Sequence, residues 1–293
     1  MDVAILGCGY LGTELGRQLQ SLGCHVIGVR RSVAGAERLR DAGFEAVRAD
    51  VTDPSSLEAV PDADWLVYAA SAGRGDAERA REIYVDGLRT SIEAFGDRSN
   101  PPDRLVYASS TRVYEGDGGS WVDESTPLTP ETERGRILAR AERVAIDRAR
   151  AVGIDGTVAR LAGLYGPNRY RLSATLSGPV DPGVRNRVHR VDAAGAIAYL
   201  LAHDLARGEV VLVVDDEPVD QWIFADWLAD SCGEPYPPKR SDGGLVPERR
   251  PGHADPPDAK RCSNDRLREL GFSFRHPTFR SGYAPAIERY LEE

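Results

Sequence analysis

A chain of 293 residues with 41% hydrophobic and 28% charged side chains has ordinary globular composition and enough length to bury a large core. Its formal net charge of −9 argues against a nucleic-acid partner, because nonspecific binding needs a basic surface to displace phosphate counterions. No apolar run nears the roughly 18 residues that cross a bilayer. The first residues, Asp2-Val3-Ala4-Ile5-Leu6, open a strand pattern rather than a basic segment leading into a long apolar one, so no membrane partner and a cytoplasmic location are expected. Cys8, Cys24, Cys232 and Cys262 form no CxxC pair, so neither a disulfide framework nor a metal site is expected.

Short apolar runs alternate with helical patterns through the first two-thirds of the chain. Strands are predicted over 2–6, 24–30, 44–50, 64–70, 103–108 and 155–161, and helices over about 10–22, 33–42, 53–60, 77–96 and 131–151. This rhythm predicts βαβ units and the α/β fold class: a Rossmann-type, doubly wound parallel sheet, ordered 3-2-1-4-5-6 or an extension of it. Trp65-Leu66-Val67-Tyr68-Ala69-Ala70 runs apolar without alternation, as a strand covered on both faces does. Beyond 161 the rhythm breaks. Residues 163–188, rich in Gly, Pro and Arg, read as loop, a helix over 192–204 starts at Asp192 as N-cap, and Glu209 to Val214 reads as one more strand. The Pro-rich 217–262 stretch, with Pro235-Tyr236-Pro237-Pro238 and Pro256-Pro257, reads as a small lobe over the mouth of the sheet. The expected division is a dinucleotide-binding core over 1–162 and a C-terminal substrate lobe over 163–293, with elements near 186–216 returning to the core.

Gly7-Cys8-Gly9-Tyr10-Leu11-Gly12 fits GxGxxG, and it lies between a predicted strand and a predicted helix, the context that gives the pattern meaning. Gly7 would allow the tight turn, Gly9 the approach of backbone to a pyrophosphate, and Gly12 the close packing of helix on strand. The N–H groups of Tyr10 and Leu11 open the helix toward the phosphates. At the end of the second strand, an acid would bind the ribose hydroxyls of NAD; this chain has Arg30 and Arg31, whose guanidinium forks suit a 2′-phosphate. NADP(H) is therefore expected over NAD(H). Asp50, ending the third strand, could accept from an adenine amino group or cap the helix that follows; Val51 stands beside it. Ala69, Ala70 and Ser71 end the fourth strand with small side chains that let a ligand approach.

Several segments in order resemble the short-chain dehydrogenase/reductase superfamily, in its extended branch of NAD-dependent epimerases and dehydratases acting on nucleotide sugars. They are the Gly turn, Tyr84-Val85-Asp86-Gly87-Leu88-Arg89, Val106-Tyr107-Ala108-Ser109-Ser110-Thr111-Arg112-Val113-Tyr114, Arg160-Leu161-Ala162-Gly163-Leu164-Tyr165-Gly166-Pro167, Asn186-Arg187-Val188-His189-Arg190-Val191-Asp192 and Val213-Val214-Asp215-Asp216-Glu217-Pro218. Lys260-Arg261-Cys262-Ser263-Asn264 is similar to one atypical, GxGxxG-bearing subgroup. The resemblance implies a YxxxK motif on the helix after the Ser-containing strand. By alignment Arg134 stands where the Tyr belongs and Leu138 where the Lys belongs, and no other YxxxK exists. An Arg cannot give up its proton, and a Leu has no charge to tune a neighbour.

Ser110 matches the Ser that polarises a substrate carbonyl, with Thr111 beside it; it could equally be a strand-end hydroxyl satisfied by backbone. Tyr114, Tyr165 and His189 are substitute proton donors to weigh, His189 reading first as a packing residue. Arg134 could bind an anionic substrate or lie solvated on its helix. Two functions stand: an enzyme acting on a nucleotide sugar or other polar carbonyl or hydroxyl compound through non-standard acid/base groups, or an NADP-binding regulator without turnover. The resemblance also implies a homodimer through two helices, on which Leu88, Ile92 and Phe95, and Leu138, Ala141 and Ala145, fall at helical spacing, although such stripes are more often core than interface.

Overall fold

The computed structural model describes residues 1–73, 75–116, 118–241, 244–246 and 259–292. Its frame is a seven-stranded, fully parallel sheet built of β1 (Asp2–Leu6), β2 (His25–Arg30), β3 (Glu45–Arg48), β4 (Trp65–Tyr68), β5 (Arg104–Ser110), β6 (Asp155–Leu161) and β7 (Val210–Val213). The spatial order is β7-β6-β5-β4-β1-β2-β3. This is the expected 3-2-1-4-5-6 order with one strand added, and the strand direction reverses its march between β1 and β4, where ligands of such sheets collect.

Alternate β1 residues serve opposite faces. Val3 and Ile5 join a core with Leu11, Leu15 and Leu19 of α1 (Tyr10–Ser21), while Ala4 and Leu6 join the core on the other side. The first face also takes α2 (Val33–Asp41) through Leu39, while the second is covered by two long helices. The first, α3, runs over 77–96 with a π-wound stretch Glu82–Gly87 between Ala77–Arg81 and Leu88–Gly96. The second, α4, runs over 133–151 as Glu133–Arg143, a π-wound Val144–Arg148 and Ala149–Ala151. Leu88, Ile92, Phe95, Ala141 and Ala145 are wholly buried in this core and Leu138 is buried on the other side, so none of them is free to form the expected dimer interface. The outward sides carry charge instead, with Arg148 paired to Glu93 at 2.9 Å.

The helix expected over 53–60 shortens to Pro54–Leu57, and its cap is Asp53, which accepts from Ser55 N. Asp50 does not cap it; its Oδ1 accepts from Thr52 N and Thr52 Oγ1. Residues 163–188 are more ordered than a loop: Gly163–Tyr165 pairs in parallel with Arg187–His189, and Leu172–Ser177 is helical. The next helix, α5 (Arg190–Ala202), begins two residues before the expected start, because His189 is its N-cap through Nδ1 and Val191 N. Asp192 is buried in the first turn, and its carboxylate accepts from Arg275 N and His276 N, tying the C-terminal segment down.

The C-terminal part has a core of its own. Phe224, Leu228 and Cys232 of α6 (Gln221–Cys232) pack with Phe279 and Tyr283 of α7 (Phe279–Glu292), against Tyr165, Leu172 and Val219. Lys260–Cys262 pairs in parallel with Ser120–Val122, and the Lys260 ammonium donates to Tyr114 O. The Pro256-Pro257 signal lies outside the described residues. All four cysteines are free thiols. Among the described residues no helix is long and apolar enough to cross a membrane.

Candidate functional site

The turn from β1 into α1 is shaped by three glycines doing different things. Gly7 has φ +80°, and a Cβ there would stand 2.3 Å from Ala70 Cα, so β4's exit crosses directly over it. A Cβ on Gly9 would meet Arg30 Nη1 at 2.7 Å. On Gly12 it would meet Ile5 Cγ2 at 3.0 Å, the helix-on-strand contact expected of that position. Gly7 N and Cys8 N both donate to Val29 O, which locks the turn to β2. α1 starts at Tyr10 with no side-chain cap and no acid in its first turn. Its leading N–H groups thus face an open space with no protein group competing for them.

That space is a cleft of about 740 Å³ at the carboxyl ends of the strands. It is lined by Gly7, Gly9, Tyr10, Leu11, Arg30, Arg31, Asp50, Val51, Ala69, Ala70 and Ser71 from one side, and by Ser110 and Arg134 from the other. Its size suits a small-molecule or cofactor site. Gly12 lies beneath it. Thr111 is buried in the short 3₁₀ turn Thr111–Val113 and is not among the lining residues. The turn rotates Thr111 away just after β5 ends, so of this pair it is Ser110 that faces the cleft.

Arg30 lies between Gly9 and Gly35: a Cβ at Gly35 would come within 2.9 Å of its Nε. Arg31 is exposed, its Nε 3.9 Å from Asp50 Oδ2. Beside them Ser32 caps α2, its Oγ accepting from Gly35 N at 3.1 Å. Two guanidiniums and a helix N-terminus therefore converge on this end of the cleft.

At the other end Ser110 Oγ accepts from Arg112 N at 3.3 Å, which leaves its O–H proton free to donate into the cleft. Arg134 is aimed into the cleft but is also tied to it. It donates to Gly75 O (3.2 Å), Gly73 O (3.0 Å) and Tyr84 Oη (3.2 Å), pinning the segment that follows β4. Leu138 lines the floor as an apolar surface.

Tyr114, Tyr165 and His189 do not line the cleft. Tyr114 donates to Asp123 O (2.6 Å) and accepts from Arg160, and burial pushes its phenol above the ordinary range. Tyr165 stacks on Tyr283 with centroids 5.0 Å apart. His189 is pushed down to about 3 by burial, with His276, Arg190 and Arg275 adding to the effect, so it stays neutral. His189, Asp192 and His276 come close enough together to hold an ion. However, both Asp192 oxygens and the His189 Nδ1 lone pair are engaged by backbone N–H groups, and two arginines flank the group. These bonds tie α5 to the C-terminal segment.

Besides Tyr10, a second tyrosine reaches the cleft, Tyr84, to which the sequence assigned no site role. Its hydroxyl accepts from Arg134 Nη2 and Ala72 N and lies 3.4 Å from Ser71 Oγ. It sits on the π-wound turn of α3, and such turns recur at functional sites. Arg79, Arg112 and Arg169 also line the cleft unanticipated. At its floor Ser109 Oγ donates to Glu142 Oε1 (2.7 Å), and Glu142 accepts two parallel bonds from Arg160, Nε to Oε1 and Nη2 to Oε2, so a buried polar network supports the β5 exit.

Comparison with known proteins places this geometry. The protein YeeZ of Escherichia coli (strain K12) is 30% identical over 286 residues, which cover 94% of this chain and 96% of that one. A structure described as an NAD-dependent epimerase/dehydratase from Methylobacillus flagellatus matches 100% of this chain and 99% of its own at 31% identity, with a TM-score of 0.79. UDP-glucuronic acid 4-epimerase from Bacillus cereus, in complex with UDP-glucuronic acid and NAD, shares the fold at 16% identity, 100% and 99% coverage and a TM-score of 0.79. The family model of the NAD dependent epimerase/dehydratase family matches residues 3–226, and with the Gly turn, the switch-point cleft and the near full-length relatives it makes this chain a member of that family, of the kind that lacks the YxxxK pair.

Proposed function

We propose that this protein is an NADP(H)-preferring oxidoreductase or epimerase-like enzyme. Its substrate is a polar carbonyl or hydroxyl compound, with nucleotide sugars, such as the one held by the Bacillus cereus epimerase, among the candidates. The observation that carries this reading is the convergence in one cleft of the Gly turn, Arg30 and Arg31, and a Ser110 hydroxyl with its proton unassigned. The cofactor, when bound, supplies or accepts hydride. Gly7, Gly9, Tyr10 and Leu11 would hold its pyrophosphate, Arg30 and Arg31 its 2′-phosphate, Asp50 and Val51 its adenine, and Ala69 to Ser71 would give it room. Ser110 donates to the substrate oxygen, and Tyr84, oriented by Arg134, moves the proton. Arg134 itself cannot, since guanidinium stays charged throughout. The free cysteines fit a reducing cytoplasm.

Cofactor choice is tested by titrating NADP⁺ and NAD⁺ against wild type and Arg30→Ala. Loss of a charge-assisted contact worth about 1.5–3 kcal/mol should weaken NADP⁺ about 10- to 100-fold and leave NAD⁺ nearly unchanged. Equal affinities in the wild type would reject the preference. For the chemistry, Ser110→Ala and Tyr84→Phe should each lower turnover by about 100-fold or more with cofactor affinity kept. Retained turnover in either variant would remove that residue from the site.

The second reading, an NADP-binding regulator without turnover, is favoured by Leu138, which gives the cleft floor an apolar face where the resemblance implies a lysine. It predicts tight NADP⁺ binding and no absorbance change at the nicotinamide band with any carbonyl compound.

A further inference from the structure

The cleft is strongly cationic in a chain of net charge −9. Six arginines line it, and Asp50 is the one acid among the described lining residues. Arg30 and Arg31 stand at the adenosine end beside Asp50. Arg79 is paired with Glu82 at 2.5 Å, and the N–H edges of Arg134 are engaged by the carbonyls of Gly73 and Gly75. Arg112 and Arg169 are different: both are exposed, both line the cleft, and neither has a carboxylate partner among the described residues.

Arg169 is held in place by its surroundings. It stacks with its guanidinium carbon 3.9 Å from the centroid of the Tyr10 ring, and Arg190, paired to Glu14 at 3.2 Å, also lies against that ring at 4.7 Å. Its backbone is gripped between two non-glycine residues in the left-handed region, Asn168 (φ 66°) and Arg171 (φ 53°), and its N–H closes a turn onto Gly166 O. Left-handed non-glycine residues are costly and persist where the surroundings over-determine them, commonly at ligand sites. Stacking uses the flat face of a guanidinium and leaves its N–H edge, the part that grips an oxyanion in two parallel bonds, open. Arg112 supplies a second such edge two residues after Ser110, on the rigid 3₁₀ turn.

We infer that Arg112 and Arg169 form an oxyanion subsite, and that the substrate is a compact hydroxy or keto compound carrying its own carboxylate or phosphate close to the reacting carbon. Compactness follows from Arg112's position, since two residues span at most about 7 Å of chain and the anion therefore lies no further from whatever Ser110 touches than that span and one arginine side chain allow. The inference rests on the reading of the cleft as a dinucleotide site with Ser110 at its reacting end, and it moves substrate anion recognition from Arg134 to this pair.

The test is equilibrium binding by calorimetry to the full chain, with and without saturating NADP⁺, of D-glucuronate, D-glucose 6-phosphate, D-glucose and UDP-glucose. Binding of the two compact anions and not of glucose is expected, with Arg112→Ala and Arg169→Ala each weakening them about tenfold or more while NADP⁺ affinity is kept. Arg169→Lys should recover part of the loss. Equal binding of glucose, no binding of either compact anion, or anion affinities untouched by both substitutions would overturn the subsite. Arg112-dependent binding of UDP-glucose alone would overturn compactness in favour of a nucleotide-borne phosphate. Failure of NADP⁺ itself to bind would count against the dinucleotide reading, and the arms without cofactor would still decide the subsite.

Discussion

Glu142→Ala is expected to destabilise the fold by about 3–5 kcal/mol, the loss that follows when one member of a buried ion pair is removed. Glu142 and Arg160 are each about 5% exposed, and the carboxylate takes Nε and Nη2 of the guanidinium together. The pair joins α4 to β6, and through Ser109 Oγ and Tyr114 Oη it reaches the end of β5 and the Asp123 carbonyl. Cutting Glu142 to Ala leaves a guanidinium in the core with only a phenol beside it, and an uncompensated buried charge cannot recover its lost hydration. The loss should appear as a lower urea midpoint with an unchanged denaturant slope. The decisive control is the double substitution Glu142→Leu with Arg160→Met. It removes both charges, so it should cost less than Glu142→Ala alone. A double variant less stable than the single, or a single that loses under about 1 kcal/mol, would show that the pair is not what the β5 exit rests on. Because Ser109 borders the cleft, Glu142→Ala should also loosen cofactor binding at temperatures where the protein is still folded.

What the sequence disclosed and what it withheld divide along a physical line. The sheet was legible because its strands are short apolar runs buried on both faces, and each is separated from the next by a helix whose period is plain; Trp65 to Tyr68 is the clearest case. The turn glycines and Arg30 were legible because the βαβ unit fixes their relation through local geometry: β2 follows α1, and its last residue must emerge next to the turn. Tyr84, Arg112 and Arg169 reach the same cleft from three separate stretches of chain; the first two lie in segments that carried the resemblance, but nothing there singled out those side chains. Tyr84 is turned inward by a π-wound segment that no periodicity reveals. Arg169 is turned inward by left-handed residues on either side, and Asn168 and Arg171 carry no glycine signal for that conformation. Asp192 looked like a cap because a carboxylate at the start of an apolar helical run usually is one. The actual cap is His189, and the carboxylate serves a backbone more than 80 residues away. The stripes on α3 and α4 are core, the commoner use of such spacing. A helix has one apolar face, and in this fold that face is already used against the sheet.

Gly7→Ala should abolish dinucleotide binding, a loss of at least about 100-fold, and lower stability as well, whereas its two companions in the turn should respond more mildly and in different ways. At Gly7 the backbone is left-handed, which costs a residue with a Cβ about 1–2 kcal/mol before any contact is counted. The new methyl would then fall 2.3 Å from Ala70 Cα and 2.4 Å from Ala70 N. Both are backbone atoms in the exit of the central β4 strand, so no side-chain rotation relieves the clash. Either the β1–α1 turn or the Ala69–Ser71 segment must move, and both line the cleft. Movement of the turn also breaks the paired bonds from Gly7 N and Cys8 N to Val29 O that aim the start of α1. At Gly9 the methyl would meet Arg30 Nη1, the far end of a flexible side chain that can swing aside. Gly9→Ala should therefore keep the fold, and its affinity loss should fall more heavily on NADP⁺ than on NAD⁺. At Gly12 the nearest atoms are side chains of Ile5 and Cys8, so Gly12→Ala should cost stability by crowding the core while the cleft keeps its shape. Thermal midpoints and fluorescence titrations with both cofactors on the three variants separate these outcomes. A Gly7→Ala protein that binds NADP⁺ like the wild type would mean that the dinucleotide does not lie against this turn, since the clash leaves the turn no way to keep its present form.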